Sequence, residues 1–554
     1  MNLVNSLNTD IERAVLKNAI EHDGKADLKS VINKILGSFP ELRTSIKSLM
    51  GEINSYIERI NSLTQEEQMD LAKEKYGDIL VVEKKREEHH LPDLKNVRGK
   101  VVMRLAPSPS GPLHLGHSRM LILNDEYVKR YGGDLILRIE DTNPNNIYPQ
   151  AYEMIQEDVR WLDVNFTKFI IQSERMEIYY GRAKELIEMG KAYICKCKVE
   201  DFKKDLIASR ACPHRDLPTN LMLEQFEEIV NGEDRDISPV LVIKTDLHHP
   251  NPAVRDWIAF RVIETPHPHT GRKYRFYPLM NFSVAIDDHE LRLTHVIRGM
   301  DHLNNTERQR YIFKYFRWEV PEYFHYGLIN IGDAILSTTT MRKGIEAGEF
   351  VGWDDVRLAT LLALRRRGYQ KETFRKYWID SGLNDVNSDF SWEIFNSMNR
   401  QFIDHGADRY FFIHNPVLVK IEGSPESIGK IPLYPNEPDR GFRQYSVESD
   451  QEFYLQKLDI KDLKKGETLR LKDLYNIQFN GEQWEYAGND TSIRRKIIHW
   501  VKKDSPEFEV IKPDGTKDHG FIEERGVHTR GILQFERYSF VNKISDSYAL
   551  YLHK

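Results

Sequence analysis

The chain is most constrained at residues 101–117. An apolar run, Val101-Val102-Met103-Arg104-Leu105, is broken by Ala106-Pro107-Ser108-Pro109-Ser110-Gly111-Pro112 and followed by Leu113-His114-Leu115-Gly116-His117. Three prolines and a glycine in seven residues end the strand and forbid a helix there. Residues 118–131 then read as a helix, Gly132-Gly133 stops it, and 134–139 returns as an apolar strand. Strand, turn, helix and strand in that order form the first βαβ unit of a parallel sheet. Ligands of such sheets lie at the carboxyl ends of the strands. His114 and His117 fall there, at a helix start, where free backbone N–H groups and the helix dipole attract phosphate. Gly116, lacking a Cβ, lets a flat ring lie on the backbone. A bare His-x-x-His would read as two surface histidines; its place between turn and helix favours a phosphate site.

The remaining chemistry is also clustered. The next strand ends in Arg138-Ile139-Glu140-Asp141-Thr142-Asn143-Pro144. Glu140 is placed to hold an ammonium group, whereas Asp141 or Thr142 suits a helix cap. The chain's three cysteines all fall within 195–212, as Cys195-Lys196-Cys197 and Cys212-Pro213-His214. Three thiolates and an imidazole make a closed tetrahedral zinc site of the structural kind; the bland alternative is three reduced core cysteines and a loop histidine. Three cysteines are too few for a disulfide framework. The strand Leu293-Thr294-His295-Val296-Ile297-Arg298-Gly299 ends in a buried cation, which calls for an anion. Either Asp287 or Asp288 pairs with Arg298, or a ligand carboxylate does.

At 554 residues several domains are expected. Residues 1–97 carry apolar positions at helical spacing (Ile11, Val15, Ile20; Leu28, Ile32, Ile35; Ile46, Leu49, Ile53, Ile57, Ile60) and end in a charged linker, 83–92. Residues 346–410 read as a helical connector with one amphipathic helix through Leu361, Leu364 and Tyr369, and 411–554 as short strands and turns. The net charge of -6 does not suit a nucleic-acid partner unless basic residues are local, as in Arg365-Arg366-Arg367, Arg494-Arg495-Lys496 and Lys502-Lys503. No apolar run suggests a signal peptide or a bilayer span, so no membrane partner and a cytoplasmic location are expected.

The turn at 104–117 resembles the HIGH signature of class I aminoacyl-tRNA synthetases. Arg104 and the run from Arg138 to Pro144 narrow the resemblance to the glutamyl/glutaminyl branch, and Tyr434-Pro435-Asn436 and Leu533-Gln534-Phe535-Glu536-Arg537 in the β-rich half resemble the barrels of glutaminyl and of archaeal-type glutamyl enzymes. That resemblance implies an α/β Rossmann-type catalytic domain in two halves, 98–194 and 276–345. A zinc-bearing insertion at 195–275 would hold the tRNA acceptor end, and C-terminal all-β barrels would bind the anticodon. It implies ATP, Mg²⁺ and a structural Zn²⁺ held by Cys195, Cys197, Cys212 and His214. Pro107, Gly111, His114, Gly116 and His117 would bind ATP. Arg104, Ala106, Ser108, Glu140, Tyr277 and Arg298 would bind glutamate. Arg298 stands where glutamyl enzymes keep an arginine and glutaminyl enzymes a small neutral residue. Two positions depart from the pattern. Leu336-Ser337-Thr338-Thr339-Thr340-Met341-Arg342-Lys343 stands at the second signature, KMSKS, with Thr338 at its catalytic lysine, so Arg342 or Lys343 is expected to supply the cation beside Ser337. Met280 takes a place where relatives carry tyrosine, with Tyr277 expected to reach in.

The implied reaction is formation of glutamyl-adenylate and transfer of the acyl group to the 3′-terminal adenosine of tRNA(Glu), with tRNA(Gln) left open as a second acceptor. A monomer is expected, with the N-terminal helices available to another protein. Three other readings remain at this point: a glutaminyl enzyme, a nucleotidyltransferase working without tRNA, and a tRNA-binding relative impaired by Thr338.

Overall fold

The computed structural model describes residues 2–21, 24–38, 46–76, 91–233, 239–332, 334–435 and 437–554. The chain forms two compact units, 1–88 and 89–554. The first unit is helical: α1 (Asn2–Glu21), α2 (Leu28–Ser38), α3 (Ile46–Asn61) and α4 (Gln65–Lys75). Ile11, Val15, Val31, Ile35, Ile53 and Ile60 make its core, one stripe from each of the first three helices. Thr64 starts α4 with a capping box closed by Glu67. The expected charged linker lies outside the described residues except for Leu91 and Pro92.

In the second unit, β1 (Val102–Leu105), α5 (Leu115–Tyr131), β2 (Asp134–Ile139), α6 (Ala151–Trp161) and β3 (Lys168–Ile171) build a parallel sheet in the order β1-β2-β3. The helix starts three residues earlier than its apolar pattern suggests, because His114 serves as N-cap. Gly132 ends it in the left-handed region, φ 62°. A Cβ on Gly133 would come within 2.3 Å of the Val101 carbonyl, so the chain can turn back onto β1 only with glycine there. Further on, α10 (Met280–Glu290; the intervening elements are given below) precedes β8 (His295–Gly299) and its parallel partner β9 (Glu322–Tyr326). Thr294 seats this pair beside β1: its N–H donates to the Val102 carbonyl at 3.0 Å, and its hydroxyl accepts from the Val102 N–H at 2.9 Å. One face of the sheet sends Met103, Leu105, Leu135, Leu137, Ile139 and Ile297 into the main core. The other carries Val102, Ile136, Ile170 and Val296. By strand alternation Arg104, Arg138 and Arg298 share this second face, near the carboxyl ends.

Between the two parallel segments lies an antiparallel sheet of β4 (Ala192–Cys195), β5 (Val240–Ile243), β6 (Trp257–Val262) and β7 (Phe276–Pro278). With α7 (Met176–Glu188), α8 (Val199–Ile207) and α9 (Thr219–Asn231) it forms an aromatic core around Tyr180, Phe226, Phe260 and Phe276. Strand pairing defines this layer, so it runs from 192 to 278 and the boundary expected at 194/195 falls inside β4.

After α11 (Leu303–Phe316), α12 (Thr338–Glu346) leads to the connector helices α13 (Leu361–Arg367), α14 (Lys371–Ser381) and α15 (Trp392–Ile403). The helix expected through Tyr369 stops at Arg367, since Gly368 adopts φ 110°. Two of the three arginines in the triplet are engaged, and Arg365 stays exposed. Arg367 donates to the Leu552 carbonyl, Arg366 pairs with Asp354 at 3.1 Å, and Arg365 lies over the Trp161 ring.

The C-terminal part contains two seven-stranded sheets. In one, the terminal strands of the order are Asp408–Tyr410 and Phe412–His414; in the other, Lys496–Ile498 and Trp500–Lys502. Each pair of edges is thus joined through a single residue, Phe411 or His499, so both sheets curl back on themselves like barrels. The two joining residues stack on each other at 4.3 Å. Among the described residues no helix is long and apolar enough to cross a membrane.

Candidate active site

The histidine turn is held by its own backbone. His114 Nδ1 accepts from the Gly116 N–H at 3.2 Å, and His117 Nδ1 accepts from the His114 N–H at 3.3 Å. The rings stack at 3.7 Å. A Cβ on Gly116 would press on the His114 ring at 3.1 Å, which gives that glycine its place. With Nδ1 an acceptor in both rings, Nε2 carries the proton and is free to donate. Burial, and for His114 also the neighbouring ring, pushes the pKa of His114 down to about 2 and that of His117 to about 4. Both are therefore neutral hydrogen-bond donors at physiological pH.

The turn forms one wall of a cleft of about 390 Å³. Arg104, Ala106, Pro107, Ser108, His114, Gly116, His117, Glu140 and Arg298 line it together, although they come from β1, the turn, β2 and β8. Arg138, fully buried, donates to Asp288 at 2.8 Å and to Glu140 at 3.0 Å. Glu140 is pushed above the usual carboxylate range by burial, which Arg138 and Arg104 only partly counter. Arg104 comes no nearer than 3.9 Å to Asp288, and its Nε has no partner.

Neither pairing expected for Arg298 forms. Asp288 is taken by Arg138. Asp287 accepts from Gln172, Arg175 and Tyr179 at 2.7–2.8 Å. Arg298 is instead held by neutral groups: Thr306, Gln309 at 2.9 Å and the ring of Tyr323. Burial and the nearby Arg104 lower its pKa to about 10. Of these three buried guanidiniums only Arg138 has carboxylates, Asp288 and Glu140, within hydrogen-bond reach, so Arg104 and Arg298 leave the cleft with an unmet demand for negative charge.

Five expected residues are not in the cleft wall. Tyr277 is fully buried, with its ring stacked on His267. Gly111 is packed under Trp353, where a Cβ would come within 2.9 Å of the indole. Ser337 caps α12 by accepting from the Thr340 N–H. Arg342 is 3.9 Å from Glu346 and Lys343 is exposed on the same helix. Of this segment Leu336 lines the cleft, and Thr338 touches the histidine turn through a 2.8 Å hydroxyl contact with Ser110. Asp141 is no helix cap; it accepts from Ser173 and Tyr152.

Asp301, His302 and Trp378 also line the cleft. Asp301 and His302 directly follow β8, so the strand-end rule that marked His114 would have found them. Trp378 had no local signal: it comes from α14 and donates to Ser118 Oγ at 2.7 Å.

A second cleft, about 640 Å³, meets the first at Ser108, Glu140 and Met280 and runs toward Cys195 and Cys197 past Lys203, Arg255, Arg261 and Arg308. Cys195, Cys197, Cys212 and His214 bring their donor atoms within 4.8 Å of one another, and His214 presents Nδ1. Tetrahedral bonds of about 2.3 Å place sulfurs roughly 3.8 Å apart. The neighbouring sulfurs here are 3.4–3.5 Å apart, so the donor set fits one such ion.

A family model described as tRNA synthetases class I (E and Q), catalytic domain, matches residues 100–405. The corresponding anti-codon binding domain matches 407–497. A glutamate–tRNA ligase of Thermoplasma volcanium is 51% identical over 98% of this chain and 99% of its own length. One from Thermoplasma acidophilum is 50% identical over 91% of each chain, and one from Pyrococcus horikoshii is 44% identical over 98% of this chain and its full length. On these matches, over a cleft that joins a histidine turn to two arginines without a hydrogen-bonded carboxylate, the chain belongs to the class I aminoacyl-tRNA synthetases of the glutamyl/glutaminyl family.

Proposed function

We propose that the enzyme attaches L-glutamate to tRNA(Glu). A glutamate carboxylate oxygen bonds to the α-phosphorus of ATP as the bond to the pyrophosphate oxygen breaks. The 3′-terminal ribose hydroxyl then attacks the acyl carbon and AMP leaves. Positioning and charge stabilisation supply the catalysis, since no nucleophilic side chain is required. The Nε2–H groups of His114 and His117 donate to the phosphates. Glu140 holds the α-ammonium. Arg104 and Arg298 take the remaining carboxylate, and this rests on one observation: both guanidiniums are buried and neither has a carboxylate within hydrogen-bond reach.

Glutamine's amide offers a guanidinium fork one acceptor atom where a carboxylate offers two. The mismatch would cost on the order of 3–5 kcal/mol for a fully buried pair. Mg²⁺, when bound, would offset pyrophosphate charge. The three cysteines and His214 would hold zinc and so brace the wall of the second cleft, whose basic residues suit the tRNA 3′ end. Arg342 or Lys343 would supply the cation missing at Thr338. A competition between glutamate and glutamine for charging of the same tRNA tests the assignment: glutamate should win by at least about a hundredfold, and near-equal efficiencies would overturn it.

A further inference from the structure

Behind the histidine turn lies a carboxylate that the reaction scheme leaves without a role. Asp158, on α6, is almost wholly buried, and its Oδ2 accepts from the N–H of Leu113 at 2.9 Å. Pro112 brings no N–H of its own to this corner. The Leu113 carbonyl is already taken by the Leu361 N–H at 2.8 Å, and the Leu115 N–H by the Ala359 carbonyl at 2.9 Å. Asp158 therefore supplies the side-chain anchor of the peptide directly before His114, as the Ser110–Thr338 hydroxyl contact ties the turn three residues earlier. Ile155 and Val159 on its own helix belong to the main core, as do Leu113, Leu115, Leu361 and Leu364, and the charged groups that act on it are Glu157 and Arg365. A buried N–H paired to an ionised acceptor is held more firmly than one paired to a neutral acceptor.

We propose that Asp158 is a positioning residue for adenylation: it fixes the peptide before His114, and through it the two imidazole donors, relative to the phosphates of ATP. Displacement of a catalytic group by about 1 Å costs on the order of a hundredfold in rate, so an anchor one residue from His114 acts on kcat. The anchor is also sensitive to pH. Burial lifts the Asp158 pKa to about 7, with Glu157 raising it further and the Leu113 N–H and Arg365 of α13 opposing. The charge-assisted bond is complete above that pH and weakened below it. The imidazoles stay neutral throughout this range.

The inference rests on the histidine turn facing ATP. The activity of the parent enzyme tests that reading, and the ratio of variant to parent tests this one. ATP–pyrophosphate exchange by the full-length protein, with tRNA present, is to be followed from about pH 5.5 to about pH 8.5. Asp158→Ala should lower kcat roughly tenfold to a hundredfold with KM for the amino acid within about twofold of the parent. Asp158→Asn, which keeps an acceptor and loses the titration, should recover most of kcat and lack the acid limb near neutrality that the parent shows. Parent-like kcat in Asp158→Ala, or an equal acid limb in Asp158→Asn and the parent, would overturn the proposal. If Asp158→Ala does not fold, the pH profile of Asp158→Asn decides alone.

Discussion

Neutral imidazoles can donate hydrogen bonds to phosphate without competing for a carboxylate, and the bonding at the turn enforces that state. Protonating His114 or His117 would require the Nδ1 that now accepts a backbone N–H to become a donor. With the His117 pKa near 4 and that of His114 near 2, the exchange rate should show no loss from these groups as pH falls from about 8 to about 5. His117→Ala should lower the adenylation rate by at least about a hundredfold with tRNA affinity little changed, the scale of losing one preorganised donor. An unchanged rate would mean that the turn is not the phosphate site. Arg298→Ala should lower kcat/KM for glutamate by about a hundredfold or more and that for glutamine far less, leaving KM for ATP nearly intact. If both amino acids suffer equally, Arg298 only braces Thr306 and Gln309.

Among the elements, the antiparallel sheet at 192–278 carries a test of its own. Cys195 closes β4, and Cys212 and His214 arrive from the loop after α8, so the four donors tie a strand end to a loop. Metal analysis of the purified protein should find about one zinc per chain. Cys212→Ser should open this layer to protease and damage tRNA charging more than ATP binding; absence of stoichiometric zinc would remove the site. The arginine triplet shows how one element can be misread from composition. Its charges fall on a helix that seats against the last strands through Arg367 and Asn542. Arg367, donating to strand carbonyls, contributes to docking, whereas Arg365 stays exposed.

For the whole molecule, net charge and partner stand in tension. A chain of net charge -6 must bind tRNA through local basic surface. Its apparent affinity should fall steeply with salt, by about a thousandfold between 50 and 200 mM if six or more phosphates are contacted, while glutamate KM stays nearly level. A flat salt response would argue against phosphate contacts. The connector is backbone-paired to the histidine turn at 359–361, and α13 packs on the final strands. Truncation after about residue 410 should therefore abolish charging. Full activity without the barrels would be incompatible with an anticodon role for them.

Sequence alone determined what local chemistry dictates. The prolines between Leu105 and Leu113 allow no regular element, Gly132 and Gly133 allow only a turn, and the chain's cysteines lie close enough in sequence to converge. Strand, turn and helix, and the strand ends where Arg104, Glu140 and Arg298 sit, follow from such short-range rules. What answers Arg298 was decided only in three dimensions. Asp287 and Asp288 are nearby in sequence, yet both lie on α10 and face partners from β2, from the turn at Gln172–Arg175 and from α7: Arg138 for Asp288, and Gln172, Arg175 and Tyr179 for Asp287. Tyr277 was lost to the site in the same way, because pairing of β7 with β6 turns its ring to His267 and away from the cleft. Which side chain meets which across a sheet depends on register and on the helices packed over it. Those are settled by the burial of distant apolar surface, information that no short segment carries.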